Sequence, residues 1–229
     1  MMRDERLSED GRRIPQATIR RLPIYLRDLC EAAGAGVSVT SSSEIAARTG
    51  ISSEQIRKDL AYFGAFGTRG VGYDARQLAA EIRRILGIHR GVGVALVGAG
   101  HLGFALARYS RQEEAEVSIS MVFDRDPRTV GTRIGDLTVL PVDEMERRVR
   151  EAGIRLAVIA VPGEEALGVL ERLARAGVEA VLNFSPVALA VPGVHVQHID
   201  LTMELQSLAF FTSLRQALAP VGLRLEEDA

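Results

Sequence analysis

The sequence predicts an α/β protein in two parts: an N-terminal winged helix-turn-helix and a C-terminal Rossmann-type parallel sheet, followed by one last helix. Three observations predict it. Three amphipathic helices follow one another over residues 19–63 with short Gly-containing breaks; a Gly-framed arginine follows at once; and residues 92–124 run strand, G-x-G-x-x-G, helix, strand, Asp. A length of 229 residues suits one large domain or two small ones. The hydrophobic fraction of 47% supports a packed core and excludes a disordered chain. Charge divides along the same line. Residues 1–90 carry 15 Lys/Arg against 11 Asp/Glu, and residues 91–229 carry 13 against 19, so a basic front half precedes an acidic back half.

Several classes drop out early. No run of about 18 uncharged apolar residues exists, so a membrane span is excluded. The start, MMRDERLSEDGRR, lacks the apolar core of a secretory signal, and a cytoplasmic location is expected. Cys30 is the only cysteine, which rules out an intrachain disulfide or a zinc–cysteine site; apolar helical neighbours make it a structural thiol, and no metal site is expected.

Ile19 to Ala33 has Ile19, Leu22, Leu26, Leu29 and Cys30 at helical spacing. Hydroxyls at 40–43 and Glu44 offer an N-cap to a short helix that Gly50 stops. After the step Gly50-Ile51-Ser52-Ser53, a third helix runs from Glu54 to Phe63. On a 3.6-residue wheel Ile56, Leu60 and Phe63 share the core side. Gln55, Lys58 and Tyr62 lie opposite, with Arg57 on the flank, and these are donors suited to base edges and phosphates of double-stranded DNA. Ser52 and Ser53, with free N–H groups at the helix start, suit a phosphate. The bland alternative is a solvated face with capping serines, and Glu54 and Asp59 favour it, because an acid beside a phosphate repels. Phe66-Gly67-Thr68-Arg69-Gly70-Val71-Gly72-Tyr73 then reads as a hairpin wing with Arg69 near its tip, suited to a narrow minor groove.

Ala75 to Leu86 is a further helix, and 87–91 reads as the junction. Val92–Val97 is an apolar strand, and Gly98-Ala99-Gly100-His101-Leu102-Gly103 opens a helix through Tyr109. A second strand, Val117–Phe123, ends in Asp124, 21 residues after Gly103, which completes the context of a dinucleotide fingerprint. Gly98 allows the turn, Gly100 admits the pyrophosphate, and Gly103 lets helix meet strand. Asp124 would take the adenosine ribose and favour NAD(H) over the 2′-phosphorylated form, with Arg125 softening that preference and Asp126 neutralising Arg125.

Leu156–Val161, Glu164–Ala176 and Val178–Leu182 continue the alternation. Val161 and Pro162 at one strand end, and Asn183 and Phe184 at the next, lie where ligands bind such sheets, although an ordinary strand exit explains Asn183 and Phe184 equally well. His195 and His198 sit in an edge strand, 194–199, in structural roles. No lysine is available after Lys58 and no substrate domain remains, so the site reads as a sensor without a proton relay. The last helix, Met203 to Leu218, has an apolar face built on Leu205, Leu208, Phe210, Phe211 and Leu214. It packs either on its own domain or, the favoured reading, in a second subunit. The expected domains are a disordered arm (1–15), the winged helix (16–88), the NAD(H) domain (91–200) and the terminal helix (201–219).

The segments RLPIYLR, QIRKDLAYFGAFGTRGVGY, VGAGHLG, FDRDP, VLNFSP and IDLTMEL together make the chain resemble the redox-sensing transcriptional repressors called Rex, over residues 17–218. The resemblance implies a homodimer with an exchanged C-terminal helix that binds operator DNA and is released by NADH. It implies DNA contacts at Arg57, Lys58 and Arg69, cofactor contacts at Gly98, Gly100, Gly103 and Asp124, and a polar switch at Arg27, Tyr109 and Asp200. Leu201 stands where some members have Phe. An apolar pocket around Val161, Phe184 and Leu201 would favour the neutral reduced nicotinamide. The rival readings are an NAD-dependent oxidoreductase with an accessory helical domain, and a regulator whose ligand is CoA or another nucleotide.

Overall fold

The structure is a computed structural model that describes residues 13–68, 70–109 and 116–218, with side chains described as far as residue 212. Most of the expected N-terminal arm, Arg69 and residue 219 lie outside the described residues, as do the side chains of Leu214 and Leu218. The chain divides between Arg90 and Gly91 into two compact units.

In the N-terminal unit, helix α1 spans Gln16–Gly34, longer at both ends than the apolar stripe alone predicts. Its Leu22, Tyr25, Leu26 and Leu29 are buried. A two-residue strand β1 (Val39–Thr40) leads to α2 (Ser42–Thr49). Ser41 and Glu44 close that helix with a reciprocal capping box, and Gly50 ends it. Helix α3 covers Ser53–Leu60, capped by Ser52, whose hydroxyl accepts from the Gln55 N–H. It stops short of Phe63 because the Tyr62 and Phe63 N–H groups bond three residues back, to the Asp59 and Leu60 carbonyls, and tighten the last turn. Strand β2 (Tyr73–Asp74) pairs antiparallel with β1, and α4 (Ala75–Ile85) is capped by Asp74. Ile45, Ile56, Leu60, Leu78 and Ile82 join the α1 stripe in one core. The expected two-stranded wing is reduced to a single bridge. Thr68 and Gly72 exchange both backbone hydrogen bonds at 3.0 Å and leave a tip of three residues.

The C-terminal unit is a seven-stranded sheet. Its strands are β3 (Val92–Val97), β4 (Val117–Asp124), β5 (Arg133–Ile134), β6 (Leu137–Pro141), β7 (Leu156–Ile159), β8 (Ala180–Asn183) and β9 (His195–His198). The order is β5-β6-β4-β3-β7-β8-β9, parallel throughout except for the β5–β6 hairpin. Without β5 this is the doubly wound order, in which the chain reverses direction across the sheet between β3 and β7 and ligands bind beyond the carboxyl ends of those strands. Period-two alternation along β3 sends Ala95 and Val97 to one face and Val94 and Leu96 to the other, so both faces are apolar. Helices α6 (Met145–Glu151) and α7 (Gly163–Arg175) contribute Met145, Val149, Ala166, Val169, Leu170 and Leu173 to the first face. Helix α5 (His101–Tyr109) contributes Ala107 to the second. Helix α8 (Leu201–Leu218) follows. Among the described residues no helix is long and apolar enough to cross a membrane.

Candidate nucleotide cleft and DNA-reading surface

On α3, Ile56 and Leu60 are buried, while Lys58 and Arg57 are exposed; Phe63, just past the helix, is half-buried. Arg57 is held in place: its Nη1 donates to the Ser42 hydroxyl at 2.8 Å. Gln55 is half-buried, with its amide committed to Asp59 Oδ1 at 2.8 Å; Tyr62 and Ser53 are also half-buried. Ser52 is spent on its cap. Arg69 lies outside the described residues.

Asp59 corrects the sequence reading. It is not an exposed acid facing a phosphate but a fully buried one that fastens α3 to α1. Arg21 donates twice, from Nε to Oδ2 at 2.6 Å and from Nη2 to Oδ1 at 2.8 Å. The Thr18 hydroxyl donates at 2.9 Å, the Tyr25 hydroxyl at 2.7 Å and the Gln55 amide completes five donors. Burial pushes the carboxyl pKa up, but the hydrogen bonds from Arg21, Tyr25, Gln55 and Thr18 outweigh it and hold the group below the ordinary value. Burial and the neighbouring carboxylate push the Tyr25 phenol up. Sequence reasoning missed this network; its signal was Thr18, Arg21 and Tyr25 recurring three and four residues apart on one side of α1.

In the other unit a cleft of about 540 Å³ opens at the carboxyl end of β3, lined by Gly98, Gly100, Asp124, Val161 and Pro162 among others. Two glycines shape it. Gly98 has φ +99°, and a Cβ there would overlap the Ala160 carbonyl, so only glycine lets the turn pass the end of β7. A Cβ on Gly103 would overlap the Gly98 carbonyl oxygen, so α5 starts hard against the turn. Beside Gly100 there is open space, which leaves the backbone approachable. His101 and Leu102 are exposed in the first turn of α5, and Ala99 is buried. The Ala99 N–H donates to Asp124 Oδ2 at 2.6 Å, and the Asp126 N–H to Oδ1 at 2.8 Å, so the carboxylate is locked at the mouth of the turn. A backbone-lined turn at a helix N-terminus facing a fixed carboxylate fits a pyrophosphate and a ribose diol.

Asp126 does not neutralise Arg125 by contact. Its carboxylate is bound by Arg128 at 2.7 Å, which holds its pKa at about 2, whereas Arg125 Nη2 meets Glu165 Oε1 at 2.9 Å. Asn183 is fully buried and spent: its amide donates to the Val187 carbonyl at 2.9 Å, and its oxygen accepts from the Ser185 N–H and hydroxyl. It pins the loop after β8 instead of pointing into the cleft, and its amide meets His198 Nδ1 at 3.1 Å, a structural setting for that histidine. Phe184 and Tyr109 line a different feature, an apolar groove of about 390 Å³ on the second sheet face with Val94, Leu106, Ile119 and Leu182. Leu201 is exposed at the start of α8. One copy of the chain therefore does not gather Val161, Phe184 and Leu201 into one pocket.

Of the three switch residues, one belongs to the N-terminal unit and two to the C-terminal unit. Arg27 is exposed on α1 in the N-terminal unit, and Tyr109 is exposed at the end of α5. Asp200 caps α8, its Oδ1 accepting from the Thr202 and Met203 N–H groups at 2.8 and 3.2 Å. On α8 itself Leu201, Met203, Leu205, Leu208, Phe210 and Phe211 are each more than half exposed. At 100° per residue they spread over about 220° of the axis, a wider band than the single face expected, and leave the sector of Thr202 and Gln206 polar. Among the described residues no group of three or more His, Cys, Asp or Glu could hold a metal.

Comparison with known proteins bears on both units. Residues 13–61 match the family described as "Putative DNA-binding protein N-terminus", and residues 89–187 match the CoA binding domain family. Curated relatives cover nearly the whole chain. One from Desulforamulus reducens, "Redox-sensing transcriptional repressor Rex", is 43% identical over 89% of this chain and 98% of its own length. Another of the same description, from a Roseiflexus species, is 46% identical over 86% of this chain and 90% of its own. Among solved structures, that of RSP in complex with β-NAD⁺ and operator DNA superposes with a TM-score of 0.83 at 32% identity, covering 91% of this chain and 97% of that one. The same protein in complex with β-NADH gives 0.78 at 31% identity, over 91% and 98%.

Proposed function

The chain belongs to the Rex family of redox-sensing transcriptional repressors, and from that premise we propose how its own residues serve the two units. It is a DNA-binding repressor that responds to NAD(H) and not an enzyme. NADH releases it from operator DNA. The carrying observation is the Gly98–Gly103 turn facing a locked Asp124 in a chain whose other unit is a winged helix. Backbone N–H groups of 98–103 at the start of α5 hold the pyrophosphate, Asp124 holds the adenosine ribose, and Val161 and Pro162 flank the nicotinamide half. The bound nucleotide supplies a difference of one charge between its oxidised and reduced rings. Apolar lining of the Val161 kind favours the uncharged ring, because an unpaired buried cation is costly. Arg27, Tyr109 and Asp200 carry the coupling between the units, and Asp200 is well placed for it as the cap on which α8 starts.

The protein works as a homodimer in the cytoplasm, where its operator is. Helix α8 exposes apolar side chains over more than half of its circumference, while the second sheet face of the same chain carries an open apolar groove; α8 of a second copy satisfies both. Two recognition helices then read half-sites about one DNA turn, ~34–36 Å, apart. At each half-site Arg57, Lys58 and Tyr62 face the DNA, while Gln55, its amide held by Asp59, supports α3 from behind; Ser52 and Ser53 lie at the phosphate end of α3, and Arg69 is carried by the wing.

Retardation of the chain's upstream DNA, titrated separately with NADH and NAD⁺, tests the reading: NADH alone releases the complex. Release by neither, or by both equally, contradicts it. Within the DNA surface, Arg57→Ala is expected to cost about 1–3 kcal/mol and to blur discrimination at one base. Lys58→Ala is expected to weaken all sequences alike and reduce the salt slope by about 1. Anisotropy titrations at several salt concentrations separate the two patterns.

A further inference from the structure

We propose that Glu165 sets the choice between NAD(H) and its 2′-phosphorylated counterpart, by withholding Arg125 from the phosphate; this rests on the nucleotide reading of the cleft. Arg125 follows Asp124 directly and lines the same cleft, the setting in which an arginine accommodates a 2′-phosphate in dinucleotide sites. Its side chain is 68% exposed, so an incoming anion could reach it. It is already claimed. Nη2 lies 2.9 Å from Oε1 of Glu165, in the first turn of α7 and also a lining residue.

Energetics make this claim hard to break. Glu165 Oε1 is buried and has no aligned hydrogen-bond donor among the described residues; the Arg125 ion pair is its one close compensation. Drawing Arg125 away leaves a desolvated carboxylate oxygen unpaired, a penalty larger than the loss of an exposed pair. Two other acids at this end are already engaged. Asp126 is occupied by Arg128, and Asp124 by two backbone N–H groups. A 2′-phosphate thus meets the Asp124 carboxylate directly while its natural cationic partner stays on Glu165. The preference is set from two sides of the cleft, by repulsion from Asp124 and by sequestration through Glu165.

The test is calorimetric or fluorescence titration of the full-length protein with NADH and NADPH, read as the ratio of the two affinities. Glu165→Gln keeps the shape of the side chain and removes its charge. The ratio is expected to move toward NADPH by roughly three- to tenfold, the scale of one partly exposed phosphate–arginine pair, and the gain shrinks as salt is added. Glu165→Gln combined with Arg125→Ala returns the ratio to its wild-type range, because no cation remains to be released. A ratio unmoved by Glu165→Gln while NADH still binds overturns the proposal and leaves the nucleotide reading standing. An equal gain in the double variant overturns it also, since loss of negative charge alone would then be the cause. If wild-type protein binds neither nucleotide, the reading of the cleft falls and the proposal with it.

Discussion

Asp59→Ala is expected to unfold or nearly unfold the N-terminal unit while leaving the nucleotide cleft intact. The substitution strands the Arg21 guanidinium, the Tyr25 hydroxyl, the Thr18 hydroxyl and the Gln55 amide around an empty acceptor position. Breaking a buried pair from one side costs about 3–5 kcal/mol, against a total stability of about 5–15 kcal/mol for a domain. Denaturant unfolding followed by circular dichroism is expected to show one transition displaced to lower concentration and operator binding lost, with NADH binding retained. A variant that melts with wild type would show that α3 is held by its apolar side alone. The same network makes an acid prediction. The Asp59 carboxyl is depressed in the fold, so its stabilisation is whole above the unfolded carboxylate value of about 3.9 and is lost as pH falls through the lower folded value. Acid unfolding of the N-terminal unit in that window is therefore weakened in Asp59→Asn, which has no such proton to gain.

Gly98→Val is expected to produce a repressor that NADH no longer releases. The residue would have to hold φ +99° with a branched side chain, a strain of about 1–3 kcal/mol, and its Cβ would overlap the Ala160 carbonyl. The turn must shift, and with it the Ala99 N–H that locks Asp124. A loss of about 2.7 kcal/mol corresponds to a hundredfold fall in NADH affinity. Operator affinity without nucleotide stays near wild type, because the N-terminal unit has its own core and is untouched. Retardation with and without NADH distinguishes this from general damage, in which both affinities fall together.

Periodicity made the helices α1 to α4 legible, and glycine spacing with a following Asp made the cleft legible, because both are local signals. What escaped was non-local. Asp59 looks like a surface charge beside Leu60 until α1, some 34–41 residues earlier, supplies its donors. Asn183 looks like a ligand at a strand end until the Val187 carbonyl and Ser185 close on it. The β5–β6 hairpin did carry a local sign, Gly135-Asp136 between Ile134 and Leu137, a turn pair of the kind that joins two strands. The breadth of the apolar band on α8 is visible on a wheel, yet its exposure in a single copy is evident only once the sheet is complete without it. Arg125 shows the same limit: the neighbour in sequence, Asp126, turns to Arg128, and the partner comes from α7.

Linkage requires that two ligands coupled through one protein weaken each other by a single factor, here of about 5–150-fold for a coupling of 1–3 kcal/mol. The measurement is NADH affinity by fluorescence titration in the absence and in the presence of saturating operator duplex. Operator should lower NADH affinity by the same factor by which NADH lowers operator affinity. Identical NADH affinity in both titrations would mean that the nucleotide in the C-terminal unit is not what the N-terminal unit answers to.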